Sequence, residues 1–205
     1  MDLLGDRSWR ALGRRSVALW CGVHARSVHA EEGIAMSESL IELFRHNAWA
    51  NQRLFDACEG LTDAQMDATV GGTFGSIRDT LAHIAGAQER IAAALAETEQ
   101  VKVRREREPF PGVAALRERI RASSDALVER AARAGDGDTV TTTWRDEDYT
   151  LPVWLLLVQA INHATEHRAQ VAAILTQLGI EPPNMDGWTY HEDQFGGDWS
   201  QLWSW

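Results

Sequence analysis

His163 and His167 stand four residues apart in the stretch His163-Ala164-Thr165-Glu166-His167. On an α-helix such residues lie about 40° apart around the axis and one turn along it. Both imidazoles can therefore reach one ion, which is the geometry of helical histidine pairs in zinc sites. The stretch also spells H-x-x-E-H, the pattern of a class of zinc peptidases. Those enzymes need a further acidic ligand and a larger mixed fold, so Glu166 is read as facing solvent or backing a ligand. A chance histidine pair in a helical core is the plain alternative. Two unpartnered imidazoles there would be costly, however, and a shared cation gives them a purpose.

A site needs at least a third ligand. Among the seven histidines, His83 lies in the middle of a second core-flanking helix. A lone histidine in that position is more often a satisfied core residue; together with the pair it makes a three-histidine site the economical account. His24 and His29 fall in a doubtful N-terminal stretch. His46 shares a polar face with Glu42 and Arg53 and is expected to meet solvent, and His191 lies in the tail. A di-iron site of the ferritin type uses Glu-x-x-His pairs, and no Glu stands three residues before any histidine here.

Four amphipathic segments must position these residues. The first runs from about Ser39 to Gly60, opening on the capping-box spelling Ser39-Leu40-Ile41-Glu42. Its inward track is Leu40, Phe44, Asn47, Asn51, Leu54 and Cys58, at alternating spacings of four and three. Asn47 and Asn51 on that apolar track either line a pocket or form an amide network tying the helix to its neighbours. A short helical turn is expected after Thr62-Asp63-Ala64-Gln65. The second long helix starts at Ser76 and ends near Ala96, with His83 beside its apolar track. The third covers about 112–134, with Gly135 suited to its C′ position. TVTTTW and YTL flank a polar RDED and suggest a small hairpin. Pro152 then fits the first turn of a strongly apolar helix that ends at Gly179. Leu156, Ala160, His163, His167 and Ile174 share one of its faces, and Arg168 and Gln170 flank the histidine pair, in capping, salt-bridge or substrate-contact roles. The reading is all-α: a four-helix bundle with a small β-hairpin before the last helix and an irregular Trp-rich C-terminal tail. Trp49, on the outer side of the first helix, marks a dimer contact or lies under that tail.

The 205-residue length suits one domain with a real core. Residues 1–35 carry five arginines and no long helical stripe, and they read as a doubtful extension. Three accounts compete: translation from Met36, a secretory signal around Arg14-Arg15 and SVALWCGV, or a loosely packed segment. Residues 36–205 form the expected domain. A formal charge of −10 argues against a nucleic-acid partner, which needs clustered Lys and Arg. No apolar run reaches the roughly 18 residues of a membrane helix. Cys21 and Cys58 are too few for a disulfide framework or a Cys-rich zinc module, and reduced thiols in a cytoplasmic protein are expected.

Three stretches carry a resemblance: HNAWANQRLFDACEGLT, GSIRDTLAHI and NHATEHRAQVAAILTQLG. In order and spacing they resemble the DinB/YfiT-like family of four-helix metalloproteins. The third is the most specific, because it joins H-x-x-x-H to Arg-x-Gln and a closing Gly. The resemblance implies a divalent ion, zinc or nickel, bound through three histidines, which carry over as His83, His163 and His167. It implies frequent homodimers, and it brings in thiol-dependent transferases and isomerases that use low-molecular-weight thiols. The expected activity is a metal-dependent transfer of a small thiol to an electrophile. Metal-dependent hydrolysis, or metal-dependent ligand binding in a stress response without turnover, are the alternatives.

Overall fold

A computed structural model of the chain describes residues 34–96, 108–144 and 147–199; the N-terminal extension up to residue 33, with Cys21, His24 and His29, lies outside the described residues. Among them are six helices and one hairpin: α1 Ile34–Cys58, α2 Asp63–Met66, α3 Ile77–Leu95, α4 Val113–Ala132, β1 Thr139–Trp144, β2 Glu147–Pro152, α5 Val153–Gln177 and α6 Gly187–Phe195. No helix among the described residues is long and apolar enough to cross a membrane.

The helix boundaries follow local chemistry. Thr62 and Ser76 each close a capping box, with Gln65 and Asp79 returning the bond to the cap backbone. α5 ends in a Schellman motif: Gly179 has φ 71°, its N–H reaches the Thr176 carbonyl at 3.0 Å, and the Ile180 N–H reaches that of Leu175 at 2.9 Å. The ends of α1 and α4 differ from expectation. α1 begins at Ile34, so Ser39 sits inside the helix rather than at its cap; Ala35, Met36 and Glu38 are good helix formers, and nothing there stops the helix from extending past that spelling. Gly135 is not the C′ residue of α4, whose cap is Arg133. Instead the Gly135 N–H donates to Asp138 Oδ2 at 3.0 Å, closing the turn into β1.

The four long helices form a closed ring in which α1 packs on α4, α4 on α3, α3 on α5 and α5 back on α1. Their shared interior is two apolar clusters with a polar layer between them. One cluster holds Leu54, Phe55, Leu81, Ile84, Leu116, Ile120, Val171 and Leu175. The other holds Phe44, Ala92, Leu95, Leu127, Val140, Val153, Leu157 and Ala160. Between these two sets each helix contributes buried polar residues: Asn47 and Asn51, Gln88, Ser123 and Ser124, and Arg168.

The hairpin pairs Thr139 with Pro152 and Trp144 with Glu147 in antiparallel register. The Val153 N–H donates to the Asp138 carbonyl at 2.9 Å, so strand and helix meet without a loop. Pro152 is the N-cap of α5 rather than a residue of its first turn.

The tail is not irregular throughout. Asp186 caps α6 by accepting the Trp188 and Thr189 N–H groups at 2.9 and 2.8 Å. α6 lies on the outer side of α1. There Asp193 accepts from Trp49 Nε1 at 3.2 Å and from Arg53 at 2.6 Å, and the Tyr190 hydroxyl donates to Glu42. His46 is therefore half-buried rather than solvent-facing. It donates through Nε2 to the Met185 carbonyl at 3.0 Å and touches the rings of Trp49 and Tyr190.

Candidate metal centre

α3 and α5 are packed neighbours, and they bring His83 to His163 and His167. The ring centroids are 4.7 Å apart for His83 and His163, 4.8 Å for His83 and His167, and 4.4 Å for His163 and His167. One nitrogen from each ring lies within 4.8 Å of the other two, and the Nε2 atoms of His83 and His163 are 3.0 Å apart. Two nitrogens held about 2.1 Å from a tetrahedral ion are separated by roughly 3.4 Å. The closest pair is already inside that separation and all three nitrogens lie within 4.8 Å, so the group could hold a small divalent cation after a modest inward shift of the rings. Three imidazoles are borderline donors suited to zinc, nickel, copper or iron.

His167 is buried, while His83 and His163 are half-buried, so one side of the cluster faces solvent. His191 does not join it. Its Nδ1 accepts from Trp199 Nε1 at 3.1 Å and its ring packs on Phe195.

Two further residues border the cluster: Phe74, which the sequence did not connect to the histidines, and Gln170, which was expected to flank the pair. The Phe74 ring stacks on His83 with centroids 4.0 Å apart and 12° between planes, and it meets His167 edge-on at 5.3 Å. Phe74 sits in the loop between α2 and α3. Gly72 there takes a φ of 92°, and a Cβ on Gly75 would stand 3.1 Å from Asp79 Cβ; both positions favour glycine. Gln170, one turn beyond the pair, places Oε1 2.9 Å from His167 Nδ1 and 3.0 Å from the Phe74 backbone nitrogen.

Asn47 and Asn51 take the amide-network role. Both side-chain oxygens accept from Arg168 Nη1 at 2.7 Å, and Thr165 accepts from Arg168 Nη2 at 2.9 Å. Asn51 Nδ2 donates to Gln88, whose own amide reaches Ser123, Ser124 and the Ile120 carbonyl at 2.9–3.1 Å. Arg168 is 4% exposed. Among the described residues it meets neutral oxygens and no carboxylate, and burial pushes its guanidinium pKa down to about 10. The Cys58 thiol, buried in the core, is pushed up to about 12 for the same reason.

A profile of the DinB family matches residues 36–201. The crystal structure of a DinB-like protein from Bacillus cereus ATCC 10987 is similar over 72% of this chain and 95% of that one, with 18% identity and a TM-score of 0.54. No curated protein is similar enough to match. With the match spanning all four long helices, the chain belongs to the DinB family.

Proposed function

We propose that His83, His163 and His167 hold one divalent ion, zinc or nickel, in a four-helix bundle, and that the site activates a small nucleophile. A low-molecular-weight thiol is the first choice of nucleophile, transferred to an electrophilic substrate. The observation that carries the reading is convergence: three imidazole nitrogens from two helices lie within 4.8 Å of one another with one side of the group open. A held ion supplies Lewis acidity, lowering the pKa of a thiol or water that reaches it.

The protein side is well defined. α3 and α5 set the spacing of the imidazoles. Neutral imidazoles add no negative charge, so the full charge of an ion stays available to a nucleophile. Phe74 covers the His83 flank and narrows the approach, which leaves the solvent-facing side as the route of entry. A sealed structural site would use a fourth protein ligand, and His191 is engaged by Trp199 instead. Hydrolysis is the same site acting on water. The proposed homodimer suits Trp154 and Val158, which are exposed one turn apart on α5.

The test is metal content of the purified protein by plasma mass spectrometry, beside His83→Ala, His163→Ala and His167→Ala. About one ion per chain in the wild type, lost in each variant, is the expected result. No stoichiometric ion after reconstitution, or undiminished binding in the variants, overturns the reading. In the cobalt form, small thiols should change the visible absorption; if only hydrolysable esters turn over and thiols leave the spectrum unmoved, water is the nucleophile.

A further inference from the structure

We propose that Gln170 is a positioning residue, a double acceptor that sets the proton on His167 and pins the Phe74 loop against the histidine cluster. The inference rests on the metal reading for its consequence but not for its geometry. It begins with a group whose role cannot vary. A backbone N–H only donates, so the Gln170 atom 3.0 Å from the Phe74 nitrogen must be the carbonyl oxygen. That oxygen is also 2.9 Å from His167 Nδ1. An amide oxygen only accepts, so Nδ1 carries the proton. In a neutral ring the other nitrogen, Nε2, then holds the lone pair.

The chain of assignments runs from a loop amide, through one side chain, to the tautomer of a proposed ligand. Both bonds end on a single atom, so turning that amide loses both. When the Phe74 loop sits down, its N–H fixes the amide orientation that holds His167 with Nε2 available. When Gln170 turns its NH2 inward, it can no longer accept from either group. The Phe74 ring reports the same state, since it stacks on His83 and touches His167. The loop's seat, the cover of the cluster and the ligand tautomer are therefore all tied to one side-chain orientation. A second partner that orients a ligating histidine is the usual way such rings are held, and its loss typically weakens metal binding.

The experiment uses the full chain without metal at about pH 8.5, where an ordinary imidazole is neutral. Nitrogen-15 ring shifts of His167 and exchange of the Phe74 amide are read in the wild type, Gln170→Leu and Gln170→Glu. The wild type should show Nδ1–H and a slowed Phe74 amide. Gln170→Leu should release the tautomer preference and speed the Phe74 amide by about fivefold, the value of one net hydrogen bond. Gln170→Glu, which keeps an acceptor oxygen, should restore both. Cobalt affinity should weaken by roughly 10–100-fold in Gln170→Leu. A wild-type His167 protonated at Nε2, or a Leu variant with unchanged tautomer and amide, overturns the proposal. If the wild type binds no cobalt, the metal reading fails, and the relay still stands or falls on ring shifts and exchange.

Discussion

His167 and Arg168 are neighbours in the chain, yet they belong to two polar regions of different kinds. Arg168 points into the bundle with its charge, and three oxygen acceptors surround it: Asn47, Asn51 and Thr165. The layer then continues through Gln88 to Ser123 and Ser124. His167 turns about 100° away toward two other imidazoles, and there three rings of the same kind converge from two helices. The first region is a donor matched to acceptors drawn from the ring of helices. The second gathers like with like and keeps one side open. A buried polar group that brings its own partners serves the fold; three like donors that converge with one side open could hold an ion. Position in the sequence does not separate the two cases, but partner chemistry does.

The sharpest way to break the comparison is to remove the centre of the first region. Arg168→Met leaves the Asn47 and Asn51 oxygens buried without their donor, and it should cost about 2–6 kcal/mol in urea unfolding, at about 1–3 kcal/mol for each stranded group. Metal content should survive in whatever folds. Adding leucines at Asn47 and Asn51 should recover part of the loss, because apolar groups replace the stranded oxygens, less the cost of the buried Gln88 oxygen that Asn51 no longer reaches. If Arg168→Met instead abolishes metal binding while the fold stands, the two regions are one.

The second region should behave in the opposite way. His163→Ala should change the metal-free stability by about 1 kcal/mol or less, as expected for a half-exposed group. Zinc at a hundredfold excess over its Kd should stabilise the wild type by about 2.7 kcal/mol and leave that variant unmoved. Equal stabilisation of both by thermal scan would place the ion elsewhere.

Tyr190 gives a smaller effect outside both regions. Burial first, and then its bond to Glu42, hold the phenol above its ordinary pKa. Tyr190→Phe should cost about 1 kcal/mol of unfolding free energy and loosen α6 without touching metal content. Smallest of all is the turn before the hairpin. Asp138 is held below the ordinary carboxylate range, first by the Gly135 N–H and then by Arg130. Its bonds are therefore present at and above that range, and they fade only as pH falls through its own lower value. Exchange of the Gly135 amide, corrected for the intrinsic rate, should quicken only at that acid end.

Much of this was legible in the chain, for particular reasons. Ser76 and Thr62 announce their helices because capping boxes are local devices. His83, His163 and His167 could be grouped because a four-residue spacing fixes two rings, and one more histidine lay beside a core track. Asn47 and Asn51 were noticed because amides interrupt an apolar stripe. Their partner Arg168 was expected in capping, salt-bridge or substrate-contact roles, since a long cation is rarely buried without a carboxylate. Gln88, Ser123 and Ser124 drew no notice, because the layer they share exists only when four helices stand at the same height. His46 was placed in solvent because α6, the helix that covers it, is far along the chain. Phe74 and Gln170 are joined by a loop amide, and backbone contacts between distant segments leave no side-chain pattern to read.

The junction at Pro152 makes the chain unequal in what it can tolerate. β2 runs straight into α5, and the Val153 N–H is tied to Asp138. The hairpin thus fixes the rotational phase at which α5 starts, and the histidine pair is counted off from there. Residues added on the strand side are absorbed as long as Pro152 keeps its place opposite Thr139. One residue inserted between Pro152 and His163 would swing the pair by about 100° and advance it by about 1.5 Å, turning both rings away from His83. Sequence drift and engineered insertions alike have room on one side of that proline and almost none on the other.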